Sequence, residues 1–176
     1  LFDQGDLLNP LEKDALDPII PITREFPLQG TSSKVFLDIF GLRASGTPVL
    51  IECKLWRNPQ ARREVIGQIL EYAALFSKIN YSDIEAVLRS NGTLASKTLY
   101  QHVVNKSDVS LSESVFVDRL NHCLSRGEFD LVIAGDGIRS DVHIQSVREK
   151  LSVYGKMIQT IHGIGYRFTD ETQSNE

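Results

Sequence analysis

Two carboxylates and a lysine lie in segments that otherwise consist of apolar residues typical of buried strands. Asp38 lies in VFLDIF, and after thirteen further residues Glu52 and Lys54 lie in VLIECKL. The Ser45-Gly46 pair between the segments predicts a hairpin turn, which would bring the three charged side chains to one patch of a sheet. Because buried charge is costly unless it is paired or binds a metal, and because carboxylates suit hard cations, we predict a Mg²⁺ or Mn²⁺ site at Asp38 and Glu52.

A helix predicted over 58–78 places further polar groups beside this strand pair. Gln68 and Tyr72 are four residues apart and therefore share one face of that helix, with Glu64 one turn earlier. Strand alternation also assigns Asp38 to the face that carries Phe36 and Phe40. A polar helix row packed beside a charged strand pair predicts a shared cleft.

The composition is that of an ordinary globular domain: 176 residues, 41% hydrophobic and 24% charged. A net charge of −4 argues against a protein that coats nucleic acid broadly. The chain has no apolar run long enough to predict a membrane span and no secretory leader. Two cysteines are too few for a disulfide scaffold, so we expect a reduced, cytoplasmic protein.

The pattern along the chain predicts an α/β protein with a central mixed β-sheet flanked by helices, and a helix plus a β-hairpin at the C-terminal end. Residues 1–29 indicate a short helix near 9–16 and then an extended stretch interrupted by prolines. The other predicted elements are strands at 33–42, 48–56 and 129–137, helices at 82–90, 95–104, 111–127 and 140–155, and a hairpin at 157–168.

Four features in this order resemble the PD-(D/E)XK nuclease superfamily, in the branch found in recombination exonucleases: Asp38, a hairpin, Glu52-Cys53-Lys54 and Gln68-x-x-x-Tyr72. The resemblance covers residues 25–137 or thereabouts and implies a restriction-endonuclease-like fold that hydrolyses DNA phosphodiester bonds with a metal. Leu37 stands where the proline of the motif would be, and Glu12 is the candidate for the further acidic residue that the family often takes from an N-terminal helix.

The resemblance also implies roles for individual residues. Lys54 would position or activate the attacking water and stabilise the charge on the phosphorane. The metal would lower the pKa of the water bound to it and polarise the phosphate. It implies catalytic roles for Asp38, Glu52, Lys54, Gln68 and Tyr72, metal contact for Asp38, Glu52 and the carbonyl of Cys53, and contact with backbone phosphates for Arg57, Arg62 and Arg63.

A purely structural interpretation of the same residues stays open. Glu52 and Lys54 would then be a solvent-exposed pair on an outer strand, worth less than about 1 kcal/mol. Asp38 would cap a turn, and Gln68 and Tyr72 would belong to a helix surface. An inactive relative that keeps the nuclease fold as an interaction module is a further alternative.

Residues 140–168, SDVHIQSVREKLSVYGKMIQTIHGIGYRF, resemble the end of the winged-helix effector domain of two-component response regulators. The resemblance implies a recognition helix that contacts DNA through Arg148 and a wing that contacts it through Arg167. It supplies the alternative function, a non-enzymatic DNA-binding transcriptional regulator.

A segment similar to the start of such a domain lies at 124–132, and only residues 133–140 separate the two pieces, which is too short for the intervening helices. A terminal helix and hairpin packed on the preceding core is therefore the other interpretation. We expect a nuclease-like domain at 1–139, the helix and hairpin at 140–168 and a polar tail at 169–176. DNA is the expected partner, a membrane is not, and a homodimer is left open.

Overall fold

One mixed sheet with a layer of helices forms the protein as seen in a computed structural model. It describes residues 16–30, 33–54, 61–107, 111–135, 158–161 and 165–168, with the backbone alone described for residues 54, 61–66, 135 and the last two ranges. The elements are β1 Ile19–Gln29, β2 Lys34–Arg43, β3 Pro48–Lys54, α1 Ala61–Phe76, α2 Tyr81–Ser90, α3 Leu99–Val104, α4 Glu113–Arg126, β4 Asp130–Gly135, β5 Ile158–Ile161 and β6 Gly165–Phe168.

The strand order is β1-β2-β3-β4-β6-β5. Strands β1, β2 and β3 form an antiparallel meander, β4 is parallel to β3, and the β5–β6 hairpin is antiparallel to β4 through β6. A parallel neighbour requires a long crossover, and the chain makes this crossover with its four described helices. The predicted α/β class with a mixed sheet is confirmed.

The β2–β3 hairpin follows from its turn residues. The amide of Arg43 donates to the carbonyl of Thr47 at 2.8 Å, and the amide of Gly46 donates to the carbonyl of Arg43 at 2.9 Å. Gly46 has a φ of 99°, and a Cβ there would lie 3.2 Å from the carbonyl oxygen of Phe116. Only glycine fits this left-handed turn pressed against α4, so the predicted hairpin at Ser45-Gly46 is confirmed.

All four described helices pack on one face of the sheet. The rings of Phe26, Phe40 and Phe76 form its centre, with centroids 5.1 to 5.2 Å apart. Helices α2, α3 and α4 extend the same apolar cluster around these rings. The opposite face carries a smaller buried cluster of Ile19, Ile39, Val49, Ile51 and Val132. The helix predicted at 140–155 lies outside the described residues.

Strand β1 is the element that the sequence analysis missed, because Pro21 and Pro27 were interpreted as interruptions. Both prolines lie in an eleven-residue strand that, among the strands described, pairs with β2 alone. A proline without an N–H is tolerated on a strand that has one unpaired side. The pairing also shifts by one residue between Pro21 and Thr23. Of the short helix predicted at 9–16, only Leu16 is described, and it lies in a turn.

The predicted C-terminal hairpin is present as β5 and β6. Its strand β6 pairs with β4, from Leu131↔Phe168 to Ala134↔Gly165. The hairpin is thus part of the same sheet as Asp38 and Glu52, as expected for a terminal hairpin packed on the core. The division into domains at residue 139 stays a prediction. None of the helices in the described ranges is long and apolar enough to cross a membrane.

Candidate functional site

Asp38 is held against β3 by a hydrogen bond between strands. Its Oδ2 accepts from the backbone amide of Cys53 at 2.7 Å, which occupies one of its two carboxylate oxygens. Because Ile39 pairs with Ile51, Asp38 and Glu52 are next in the register of the two strands. The structure therefore brings Asp38 to the Glu52-Cys53 dipeptide, as predicted, and the alternative of Asp38 as a turn cap is wrong.

Glu52 is a buried acid. Its exposed fraction is 1%, and strand alternation turns it to the helix-covered face together with Leu50. An exposed surface pair is therefore the wrong interpretation for Glu52. Cys53 alternates to the other face and is exposed. A buried carboxylate on β3 thus lies next in the chain to the residue that binds the partly exposed carboxylate of Asp38 on β2.

The site lies at the carboxyl end of β3, where this strand runs parallel to β4. Glu52 pairs with Ile133, Cys53 with Ala134, and Lys54 with Gly135. In open sheets of helices and strands, ligands bind in the crevice outside the carboxyl ends of the parallel strands. Glu52 therefore lies near the end of the sheet at which ligands bind in such folds.

The side chains of β2 stop alternating between the two faces of the sheet next to this site. Glu25 has a φ of 49° and lies in β1 between the register pairs Arg24↔Ile39 and Phe26↔Leu37, opposite Asp38. Leu37 and Phe40, an odd number of residues apart, both belong to the helix-side core, whereas Phe36 is 49% exposed. The prediction that Asp38 shares one face with Phe36 and Phe40 is wrong, because Phe36 and Phe40 themselves lie on opposite faces of the sheet.

Gln68 and Tyr72 are linked to the site through the backbone of β2. The amide nitrogen of Gln68 donates to the hydroxyl of Tyr72 at 2.9 Å, and that hydroxyl donates to the carbonyl of Phe36 at 2.9 Å. Tyr72 is buried in the core. The pair therefore fastens α1 to β2 two residues before Asp38, and it is not an exposed helix surface. Its contact with substrate stays a prediction.

Several predicted site residues lie where side chains are not described. Lys54 and Arg167 lie in strands, and Arg62 and Arg63 lie in α1, each with its backbone alone described. Arg57 and Arg148 lie outside the described residues, as does Glu12. Their predicted roles stay predictions.

The donor atoms fit a hard divalent cation. Proteins hold Mg²⁺ through one or two carboxylates and leave the other positions to water and phosphate. Asp38 and Glu52 supply two carboxylates, and the carbonyl of Cys53 is a third oxygen of the right kind. The part of the chain with described side chains contains no cluster of three or more His, Cys, Asp or Glu side chains that could hold a metal, so a cation here would rely on these few oxygens.

At the opposite end of the sheet, an ion pair that the sequence analysis did not single out joins the last residue of β2 to the first residue of β4. Nε of Arg43 lies 2.6 Å from Oδ2 of Asp130, and both side chains are nearly buried, at 11% and 10% exposure. Arg43 also donates to the carbonyl of Asp17, whose carboxylate accepts from the amide and hydroxyl of Ser45. The partners are 87 residues apart, so no local pattern could predict the pair.

A depression of about 530 Å³ lies on the helical layer. It contains none of the residues predicted for the site. Its lining comes from the connection between α1 and α2 and from α4: Ser77, Lys78, Ile79, Asn80, Asp118, Asn121, His122 and Ser125.

The two cysteines give a chemical test of the site. We expect iodoacetamide to modify Cys53 well before Cys123, because Cys53 is exposed, whereas burial and then Glu128 raise the pKa of the Cys123 thiol. Peptide mass spectrometry over a time course would measure both rates. In a Cys53→Ser variant only the slow reaction should remain. Equal rates at both thiols would contradict the placement of Cys53.

Comparison with known proteins finds similarity to a response regulator. The atypical response regulator protein ChxR of Chlamydia trachomatis serovar L2 is 33% identical to this chain over 69 residues, which is 39% of this chain and 26% of that protein. The chain thus matches about a quarter of that relative's length. No family model matches the chain, and no solved structure matches it. The similarity supports the response-regulator resemblance, and none of these comparisons supports the nuclease resemblance.

Proposed function

We propose that this protein is a metal-dependent nuclease that hydrolyses DNA phosphodiester bonds at the Asp38–Glu52 site. The observation that carries the proposal is the 2.7 Å hydrogen bond from the amide of Cys53 to Asp38, which ties one carboxylate to the residue that follows a second, buried one, Glu52. The place of Glu52 near the carboxyl end of β3 and the mixed order of the sheet agree with a restriction-endonuclease-like fold, which is part of the proposal.

In this proposal each residue of the site has a distinct task. Asp38, Glu52 and the carbonyl of Cys53 hold Mg²⁺ or Mn²⁺, which supplies a water of lowered pKa and polarises the phosphate. Lys54 positions that water and offsets the negative charge that develops on the phosphate. Tyr72 keeps β2 in place, with Gln68 as its hydrogen-bond partner. The DNA backbone is held by Arg57, Arg62 and Arg63.

A second candidate function is that of a DNA-binding regulator without enzymatic activity. The similarity to a response regulator favours this candidate over the nuclease, whereas the geometry of the Asp38 site favours the nuclease. In the second candidate, Arg148 and Arg167 would contact DNA. The β5–β6 hairpin that carries Arg167 pairs with β4 through β6. A wing formed by this hairpin would therefore have to contact DNA while it remains part of the sheet.

One set of assays separates the two candidates. We expect the wild type to nick supercoiled plasmid only with Mg²⁺ or Mn²⁺, and Lys54→Ala to lose this activity. Binding of duplex DNA without metal, lost in Arg148→Ala and unchanged in Asp38→Ala, would instead support the regulator. If neither nicking nor binding occurs, the chain is an inactive module of the nuclease fold and both candidates fail.

A further inference from the structure

Phe36 is a large aromatic side chain on the solvent side of β2. It is 49% exposed, although Leu37 beside it is fully buried and Val35 packs partly against the core. Both neighbours turn to the helices, so alternation turns the ring of Phe36 to the opposite surface. The residue lies two positions before Asp38, a separation of at most about 7 Å along a strand.

The backbone of Phe36 is fixed. Its carbonyl accepts the hydrogen bond from Tyr72, whose hydroxyl is in turn held by Gln68. On the other side, Phe36 pairs in register with Pro27 of β1. Because the backbone is held on both sides, a ligand can bind the face of this ring at little further cost in conformational entropy.

A cation accompanies the ring. The ammonium nitrogen of Lys34 lies 5.7 Å from the centroid of Phe36, within the range of a cation–π contact. An aromatic face with a neighbouring positive charge is the combination that proteins use to bind single-stranded nucleic acid, in which bases stack and phosphates are neutralised. Among the residues whose side chains are described, the other exposed large apolar residues are aliphatic and offer no such face: Leu16, Leu70 and Val115.

We propose that Phe36 is a stacking platform for an unpaired nucleobase and that Lys34 contacts a phosphate of the same strand, so that the protein binds DNA with single-stranded nucleotides on the sheet surface opposite the helix-covered face of Glu52. This inference rests on the proposed function for the identity of its ligand as DNA. It adds the class of substrate, since a base inside a duplex has no free face for Phe36 to cover.

The test is binding in EDTA, which removes hydrolysis from the readout. Fluorescence anisotropy would compare a labelled 20-nucleotide single strand with a duplex of the same sequence. We expect Phe36→Ala to weaken single-strand binding about 5- to 100-fold, the loss typical of one stacked base, with less than a twofold change for the duplex. Phe36→Tyr should keep the affinity, and Lys34→Gln should lower the salt slope by about 0.7.

The matched control is Val115→Ala, which removes an equally exposed apolar side chain, at 51%, from α4 and should change neither affinity. Unchanged single-strand binding in Phe36→Ala would overturn the inference, as would an equal loss on single strand and duplex. Absence of any DNA binding by the wild type would also overturn it. A selective loss in Phe36→Ala in a protein that never nicks DNA would uphold the platform and reject the nuclease.

Discussion

Asp38→Asn is expected to abolish metal-dependent DNA hydrolysis while the protein stays folded. The asparagine keeps a side-chain oxygen that can accept from the amide of Cys53, so the bond between β2 and β3 survives. It removes the negative charge that would bind the cation. Since the cation contributes several kcal/mol to the transition state, we expect a loss of at least about 1,000-fold in nicking rate.

The matched variant Asp38→Ala separates charge from structure. It removes the acceptor as well, and the lost hydrogen bond should lower the free energy of unfolding by about 1 kcal/mol. Nicking should vanish in both variants, and only alanine should lower the melting temperature. Calorimetric titration of Mn²⁺ would show the binding heat in the wild type and in neither variant. Nicking by Asp38→Asn within tenfold of the wild type would refute the assignment of the metal site.

Asp130→Asn is expected to destabilise the protein by about 3–5 kcal/mol. The substitution is nearly isosteric but leaves Arg43 charged in a nearly buried position, and an uncompensated buried charge carries a cost of that size. For a chain of this length the melting temperature should fall by roughly 10 °C. Urea unfolding followed by circular dichroism would measure the free energy.

Two controls show whether burial of the charge is the cause. Glu128→Gln breaks the Arg126–Glu128 pair, whose side chains are 64% and 40% exposed, and should cost less than about 1 kcal/mol. The double substitution Arg43→Met with Asp130→Leu replaces both charges by apolar groups and should recover most of the stability. If Asp130→Asn is as mild as Glu128→Gln, the pair contributes no more than a surface pair.

The sequence predicted the elements whose signals are local. The apolar segments around Ser45-Gly46 gave β2 and β3 almost to their ends, because alternation and the turn glycine agree. Helix α4 lies between its N-cap Ser112 and its C-cap Gly127, which has a φ of 71°, and so agrees with the helix predicted at 111–127. The approach of Asp38 to Glu52 followed from the same hairpin.

The features that the sequence did not predict depend on distant partners. Strand β1 was not recognised because of its prolines, which are acceptable since β1 has a single neighbour, β2, in the described part of the sheet. The exposure of Phe36 goes with a break in side-chain alternation along β2 that lies opposite the left-handed Glu25 of the facing strand, and nothing in a glutamate signals a positive φ. The burial of Tyr72 depends on a carbonyl 36 residues away.

The pairing of β6 with β4 decides how the C-terminal segment can be probed. Without the hairpin, β4 would become an edge strand, and its apolar residues LVIA would present unpaired N–H and C=O groups to solvent. Such an edge recruits strands from other chains and promotes aggregation. A DNA-binding assay on a chain without the hairpin would therefore be dominated by self-association of that chain. The contribution of residues 140–168 to binding has to be measured by substituting single side chains in the intact protein.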